Sequence, residues 1–286
     1  MLVDTRPTTF DELIRISGLS HGTDVWLGNA QSLIEDGIVT LTEAICCRDD
    51  IMIYLIKQGL PPNPAFKIME TVRKGKALKD PEQWKKYVDL MKEHNVPDWY
   101  IKSCEKIKYM FPKAHAAAYV TNAFRIAWFK VHKPEAYYAA FFSIRASDEF
   151  DSEIMIFGKE KVKNKMKEID LLGNNATQKD KTMYPVLELV LEMYERGIKF
   201  LPIDLYKSSA TKFIVEEEGI RPPLNSIAGL GTVAALGIEN ARKDGKFMSI
   251  DDMKIRSKIG DSVTELLKKF GCLDGMSQSN QLSLFG

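Results

Sequence analysis

The sequence contains little cysteine, and none in an arrangement that indicates cross-links or metal binding. Its 286 residues include four cysteines, of which Cys46 and Cys47 are neighbours and cannot easily bridge each other, while Cys104 and Cys272 stand apart. No Cys-x-x-Cys pair occurs, and the four histidines do not show the spacing of metal ligands. The pattern therefore predicts neither a disulfide framework nor a zinc site.

Long apolar runs and a large excess of one charge are also missing. No apolar stretch reaches the length of a membrane span and no signal peptide precedes the first predicted helix, so we expect a cytoplasmic protein without membrane contact. The formal net charge of +1 excludes a uniformly basic, DNA-coating protein. A hydrophobic content of 45% is enough for the cores of roughly two or three compact domains.

Positive charge is nevertheless concentrated in one part of the chain. Residues 101–133 carry seven Lys and Arg side chains against Glu105 alone. These cations are Lys102, Lys106, Lys108, Lys113, Arg125, Lys130 and Lys133. Such an excess is typical of a surface that faces phosphates, although a solvated helix face also explains part of it.

The stretch 111–119, Phe-Pro-Lys-Ala-His-Ala-Ala-Ala-Tyr, predicts a helix with functional side chains near its start. Pro112 suits the first helical turn and the alanines propagate the helix. Lys113 lies where unpaired backbone N–H groups and the helix dipole favour an anion. His115 and Tyr119 fall on one stripe of that helix. A core helix with satisfied polar groups explains the same pattern, and the pattern alone favours it.

Two polar segments allow two interpretations each. The loop that contains Ser20 and His21 is compatible with binding a phosphate or a base edge, and equally with an ordinary turn between helices. The basic group Arg73, Lys74 and Lys76 suits contact with a nucleic-acid backbone. On residue pattern alone, a solvated helix end with cations placed against the dipole is the favoured interpretation of that group.

Capping boxes predict where two further helices begin. Thr9 with Glu12 predicts a helix over residues 10–19, and Thr40 with Glu43 predicts another that continues to about residue 58. Short strands are predicted at 198–205 and 212–215, with an acidic turn over 216–219. The other periodic segments predict helices, so the expected fold is mostly α.

The second predicted helix contains Asp49 and Asp50, which invite interpretation as a metal site. Two-metal phosphoryl chemistry needs carboxylates that converge on ions about 4 Å apart. Neighbours on a helix point about 100° apart, so a salt-bridged helix surface is the favoured interpretation. Arg48 is a better candidate for function, because a guanidinium binds phosphate through two hydrogen bonds.

A second glycine-containing motif occurs at Gly229-Leu230-Gly231-Thr232, ahead of a predicted helix. A dinucleotide-binding fingerprint would need a further glycine where Ala234 stands, and no βαβ unit surrounds the motif. The segment instead resembles a helix-hairpin-helix module. The glycines of such a module let backbone N–H groups contact a DNA phosphate without reading the base sequence.

The segment Gln281-Leu282-Ser283-Leu284-Phe285 has apolar residues in a polar neighbourhood. A loose terminus is one expectation for such a segment. The alternative is that Leu282, Leu284 and Phe285 are anchors that fill a pocket on a partner.

Taken together, these motifs closely resemble the fingers of bacterial replicative DNA polymerase III α subunits, with the PolC type as the nearest match. The resemblance covers nearly the whole chain, and its motifs are long enough to be specific. They lie at 17–31, 47–51, 67–74, 111–119, 125–132 and 281–285.

The resemblance implies a nucleotide-binding surface that closes on an incoming deoxynucleoside triphosphate (dNTP). Its residues would be Lys113 and Arg48 at the phosphates, His115 and Tyr119 near the base or sugar, and in addition Ser20 and His21. Implied DNA-binding residues are Arg73, Lys74, Lys76, Gly229, Leu230, Gly231 and Thr232. The segment 281–285 matches the pentapeptide through which bacterial polymerases bind the sliding clamp.

Enzymes of this family are nucleotidyltransferases, DNA-directed DNA polymerases that use Mg²⁺ held by palm carboxylates including an Asp-x-Asp pair. This sequence contains no Asp-x-Asp. We therefore expect the chain alone to be inactive, with no catalytic or metal-binding residue of its own, and Mg²⁺ of the complete enzyme to be bound elsewhere. The implied partners are primer–template DNA, the incoming dNTP, the sliding clamp, the remaining polymerase domains and other replisome subunits.

The expected organisation has three parts: helical polymerase fingers at 1–147, a helical and helix-hairpin-helix region that binds duplex DNA at 148–275, and a flexible clamp-binding tail at 276–286. The alternative function is that of a non-catalytic, clamp-tethered protein that binds duplex DNA. The fingers signature at 17–133 argues against that alternative, because a simple tether does not need a nucleotide-facing helix.

Overall fold

The structure is a computed structural model and describes residues 1–279. The chain divides into two compact units, of which the first comprises Met1–Arg125 and the second begins at Ile126. The boundary predicted between residues 147 and 148 separates two functions and not two compact units, and it stays a prediction. The predicted clamp-binding residues Gln281–Phe285 lie outside the described residues.

The first unit is helical, as the sequence predicts. Its helices are α1 (Leu2–Thr5), α2 (Phe10–His21), α3 (Gln31–Glu35), α4 (Arg48–Lys57), α5 (Pro62–Arg73), α6 (Pro81–Glu93), α7 (Asp98–Lys106) and the start of α8 (Lys113–His132). Trp26–Ala30 adds a kinked turn ahead of α3. The capping box at the start of α2 is confirmed: the Thr9 hydroxyl accepts the Glu12 N–H and the Glu12 carboxylate accepts the Thr9 N–H.

The prediction that a helix begins at Thr40 is wrong. Glu43 does accept the Thr40 N–H at 2.9 Å, but α4 begins only at Arg48. The intervening residues 44–47 are buried in the core, and Cys47 is extended. Asp50 accepts the Cys47 N–H at 2.8 Å and so forms the N-terminal cap of α4. Consequently Arg48, Asp49 and Asp50 all lie in the first turn of α4.

The core of the first unit is closed by aromatic and aliphatic side chains of α4, α5 and α7. Tyr100 on α7 is fully buried and stacks on Tyr54 of α4, with ring centroids 4.1 Å apart. Buried Asn29 and Ser103 form reciprocal hydrogen bonds that attach the turn before α3 to α7. These contacts fix the frame on which α2, α4 and the start of α8 meet.

The described part of the second unit contains the remaining α-helices and one small sheet. They are the rest of α8, then α9 (Pro134–Ile144), α10 (Ser152–Met155), α11 (Lys159–Leu172), α12 (Gln178–Glu195), β1 (Ile214–Glu216), β2 (Gly219–Arg221), α13 (Thr232–Ala241), α14 (Ile250–Ser257) and α15 (Asp261–Lys269). β1 and β2 pair antiparallel, which confirms the predicted turn. The predicted strand at 198–205 is wrong, since only Phe200 forms a bridge, to Ile220.

Two cores support this unit. One is aromatic, and Tyr138 and Phe142 of α9 are fully buried in it. The other lies among α13, α14 and α15. α13 and α14 approach closely at Gly237, where a Cβ would lie 2.5 Å from the Ser257 carbonyl oxygen. In the described part of the chain, no helix is both long and apolar enough to cross a membrane.

The close approach of α2 to the segment before α4 gives a first prediction. A Cβ on Gly18 would lie 2.5 Å from the Cys47 Sγ and 2.6 Å from the Cys46 carbonyl oxygen. Gly18→Ala is therefore expected to lower the free energy of unfolding by about 1–3 kcal/mol through overpacking. Urea denaturation of the chain measures this loss, with Ser17→Ala on the same helix as the control. Equal stability of the two variants would show that α2 can shift freely against residues 46–47.

Candidate functional site

The start of α8 is fixed to α4 by main-chain hydrogen bonds. The Arg48 N–H donates to the Phe111 carbonyl at 3.2 Å, and the Lys113 N–H donates to Asp49 Oδ2 at 2.8 Å. Asp49 thus caps α8 from a helix 64 residues earlier in the sequence. Ala116 is completely buried one turn further along, in a small apolar cluster with Cys47.

The Lys113 side chain lies between two carboxylates. Its Nζ is 3.3 Å from Asp11 Oδ1 and 3.8 Å from Asp50 Oδ1. Arg15, one turn after Asp11 on α2, donates through Nε to Asp11 Oδ2 at 2.8 Å. The Arg48 Nε lies 3.8 Å from Asp49 Oδ2.

Opposite charges are balanced in this cluster, which consists of Asp11, Asp49 and Asp50 with Arg15, Arg48 and Lys113. The hydrogen bond from Arg15 lowers the pKa of Asp11, and the charges of Arg15 and Lys113 act in the same direction. Burial raises the pKa of the Cys47 thiol to about 12, so this neighbour is uncharged at neutral pH. An anion that approaches Lys113 or Arg48 must therefore compete with internal carboxylates.

A row of aromatic rings lies on the other side of the α8 start. His21 stacks on Phe111 with centroids 4.8 Å apart, and His115 meets Phe111 edge-on at 5.5 Å. Tyr119 continues the row 5.1 Å from His115 and is 59% exposed. Ser20 joins the row through a 2.9 Å hydrogen bond with His21 Nδ1. The structure therefore brings Ser20, His21, His115 and Tyr119 together around Phe111. The other two side chains predicted to bind nucleotide, Lys113 and Arg48, lie in the charged cluster at the same helix start.

The predicted basic DNA-contact group is largely engaged within the chain. Arg73 donates two hydrogen bonds to Glu70, at 2.6 and 2.8 Å, and Lys74 Nζ lies 2.8 Å from the same carboxylate. The hydrogen bonds from Arg73, followed by that from Lys74, lower the pKa of Glu70 to about 2. The following turn packs on the segment after α7, where a Cβ on Gly75 would lie 2.5 Å from the Lys108 carbonyl oxygen.

A cavity of about 640 Å³ opens beside the charged cluster. Arg15, Asp50 and Lys113 line one part of it, and aromatic residues including Trp99 and Tyr100 line another. The Tyr100 hydroxyl is buried and makes no hydrogen bond within the described structure. Because Lys113 lines this cavity, its side chain has open space on one side.

The Gly-Leu-Gly motif of the second unit forms a turn ahead of α13. Gly229 has a φ of +90°, and Gly231 precedes the helix with open space within 4 Å of the position that a Cβ would take. Gly229, Gly231 and Thr232 are exposed, whereas Leu230 is buried in the core of α13–α15. The Leu230 N–H donates to the Ile227 carbonyl at 2.9 Å, so both its side chain and its N–H are engaged within the chain.

No converging set of three or more His, Cys, Asp or Glu side chains occurs among residues 1–279. Asp49 and Asp50 illustrate the reason, since each carboxylate caps a different helix start. These residues do not fit a two-metal site. Asp11 and Arg15 are site residues that the sequence analysis missed: their four-residue spacing indicates an ion pair, but no local signal places that pair beside Lys113.

Comparison with known protein families gives matches to two stretches of the chain. The bacterial DNA polymerase III alpha subunit finger domain matches residues 1–95, and a helix-hairpin-helix motif matches residues 197–282. The PolC-type DNA polymerase III of Caldanaerobacter subterraneus subsp. tengcongensis is 58% identical over 285 residues, which cover all of this chain and 20% of that protein.

Two further relatives carry the same name. The PolC-type DNA polymerase III of Oceanobacillus iheyensis is 59% identical over the whole chain and 20% of its own length, and that of Bacillus subtilis is 58% identical over 19% of its length. The chain spans about one fifth of the length of these relatives. Over its whole length, the chain is therefore similar to one segment of PolC-type DNA polymerase III proteins.

Proposed function

We propose that the chain forms the nucleotide-facing fingers and a DNA-holding region of a replicative DNA-directed DNA polymerase. The observation that carries the proposal is the arrangement at the start of α8. There, Lys113 lies in the same two helical turns as His115 and the exposed Tyr119, and Arg48 is joined to Phe111 by a main-chain hydrogen bond. Cations that bind phosphate and rings that pack on a base are the two contacts that an incoming dNTP requires.

The division of labour follows from the chemistry of these groups. Lys113 and Arg48 bind and orient the triphosphate, while His115 and Tyr119, with Ser20 and His21, pack against the base and sugar. When bound by carboxylates of other segments, Mg²⁺ supplies charge stabilisation at the reacting phosphate. The fingers residues hold the dNTP in line for the primer 3′-hydroxyl but do not exchange a proton with it.

The second unit would keep duplex DNA in place. Gly229, Gly231 and Thr232 are exposed, and a backbone exposed ahead of a helix is suited to a phosphate contact without base readout. We propose that Arg73, Lys74 and Lys76 also contact the DNA backbone. Arg73 and Lys74 would first have to leave the Glu70 carboxylate. The segment 281–285 would bind the sliding clamp.

Two experiments test the polymerase assignment. Purified chain with Mg²⁺, dNTPs and a primed template is expected to give no extension, because no group of three or more His, Cys, Asp or Glu side chains in the described chain is arranged to hold a metal ion. A Bacillus subtilis PolC-type polymerase that carries this chain in place of its matching segment is expected to extend the same primer.

The alternative, a clamp-tethered DNA-binding protein, predicts a different outcome. In that case the chimeric polymerase would fold and bind DNA but fail to use dNTPs. Primer extension by the isolated chain would also contradict the proposal, because it would place the catalytic metal site within this chain.

Gly231→Val tests the proposed DNA contact at the helix-hairpin-helix motif. Gly231 has a φ of −69° and open space around it, so valine is tolerated by the fold but blocks close approach of a phosphate. We expect a loss of duplex affinity of about tenfold, measured by fluorescence anisotropy at low salt. Gly229→Val is unsuitable, because Gly229 has a φ of +90°.

The matched control is Gly260→Val. Gly260 also precedes a helix, α15, has a φ of −92° and has no neighbouring atom within 4 Å. This variant is expected to retain duplex affinity. If Gly231→Val binds as tightly as Gly260→Val, the Gly-Leu-Gly segment is a structural turn and the proposed phosphate contact is wrong.

A further inference from the structure

The contact between Lys113 and its two carboxylates is loose. The distances of 3.3 Å to Asp11 and 3.8 Å to Asp50 exceed the roughly 2.7–2.9 Å of a charge-assisted hydrogen bond. The Lys113 side chain is 32% exposed and borders the cavity beside the cluster. The ammonium group therefore can leave its present position without passing through packed side chains.

Both carboxylates keep other partners when Lys113 leaves. Asp11 accepts a 2.8 Å hydrogen bond from Arg15 Nε. Asp50 accepts the Cys47 and Cys46 N–H groups at 2.8 and 3.2 Å, and Arg15 lies 4.0 Å from the same oxygen. Since an unpaired, partly buried carboxylate is costly, these contacts lower the free-energy cost of moving the Lys113 ammonium.

The backbone of Lys113 stays in place during such a movement. Its N–H is held by Asp49 at 2.8 Å, and Ala116 anchors the first turn of α8 in the apolar cluster. The side chain can therefore exchange partners while the helix start remains fixed. An ammonium that exchanged these carboxylates for another anion, while Arg15 stayed with the carboxylates, would form a simple two-state element.

We propose that Arg15 is a positioning residue for nucleotide binding: it neutralises Asp11 and Asp50 when the Lys113 ammonium moves from them to a nucleoside triphosphate. This inference rests on the proposed function, in which Lys113 binds the phosphates. Arg15 itself contacts carboxylates and not the nucleotide. Its side chain is only 15% exposed and already occupies the site next to Asp11.

The first test is steady-state kinetics in the chimeric polymerase. Arg15→Gln is expected to raise the KM for dNTP about tenfold with little change in kcat or in primer–template affinity, because Asp11 then retains Lys113. Arg15→Lys is expected to restore most of the affinity. Arg15→Gln combined with Asp11→Asn is also expected to restore it, since the competing carboxylate is removed.

The second test requires no nucleotide. The rate at which acetic anhydride modifies Lys113 in the purified chain, followed by mass spectrometry, is expected to fall several-fold in Arg15→Gln and to rise in Asp11→Asn. Lys86, exposed on α6, is the control and should react equally in every variant.

The outcomes separate the two proposals. If Lys113→Ala uses dNTP normally, the proposed phosphate role of Lys113 is wrong. If Lys113→Ala raises the KM for dNTP but Arg15→Gln does not, the proposed role of Arg15 is wrong. It is also wrong if Asp11→Asn fails to restore the KM of Arg15→Gln in a folded protein. An unchanged Lys113 modification rate in both single variants would also overturn it.

Discussion

In a polymerase that contains this chain, Lys113→Ala is expected to raise the KM for dNTP by about 10- to 150-fold. Removal of one charge-assisted phosphate contact costs about 1.5–3 kcal/mol, which corresponds to that range. Arg48→Ala is expected to act in the same direction, because Arg48 lies in the turn that caps α8. Steady-state extension of a primed template at varied dNTP concentration measures both effects.

The contacts of Asp11 and Asp50 indicate that Lys113→Ala changes stability little. Lys113→Ala removes one of the cations near Asp11 and Asp50, but Arg15 and two main-chain N–H groups remain with these carboxylates. We therefore expect a small change in melting temperature, and Lys86→Ala on α6 should change neither stability nor KM. A normal KM in both Lys113→Ala and Arg48→Ala would remove these residues from the nucleotide site.

The start of α8 shows how far the sequence can predict a site. Pro112 and the alanines identify the helix, and the period of 3.6 residues places His115 and Tyr119 on one stripe. Stacking of His21 on Phe111 follows from no local rule, because it joins residues far apart in sequence. The family resemblance, and not the residue pattern, predicts that His21 and His115 belong to one site.

The segment around α4 shows why the remainder was not predictable. Thr40 and Glu43 have the residue types of a capping box, and part of its hydrogen bonding forms. Residues 44–47 are nevertheless buried in a segment that is not helical, and α4 begins only at Arg48. Tertiary packing overrides the local signal, and it thereby directs Asp49 towards Lys113.

The Gly-Leu-Gly turn is intermediate between these cases. Its residue types predict an exposed backbone ahead of a helix, and Gly229 and Gly231 are exposed. The apolar residue between them is buried because it belongs to the core of α13–α15, which forms only when the helices assemble. Sequence therefore identifies the turn, while the structure separates the exposed backbone from the buried side chain.

Deletion of Gln281–Gly286 is expected to abolish binding to the sliding clamp. Leu282, Leu284 and Phe285 are three apolar anchors within five residues, and each buries its side chain in a pocket in the proposed complex. Ordering so short a segment costs conformational entropy, so the intact chain should bind with a micromolar Kd, about −8 kcal/mol. Surface plasmon resonance with immobilised clamp measures the affinity.

The controls distinguish a lost anchor from a lost fold. Ser283→Ala removes no apolar anchor and should bind the clamp nearly as well as the intact chain. The deletion should leave the melting temperature and the duplex affinity unchanged, because the described cores and the Gly229–Gly231 turn lie outside the deleted segment. In the chimeric polymerase, the same deletion should shorten the products made in one binding event with the clamp present. Undiminished clamp binding after the deletion would place the contact elsewhere in the chain, and the proposed role of residues 281–285 would be wrong.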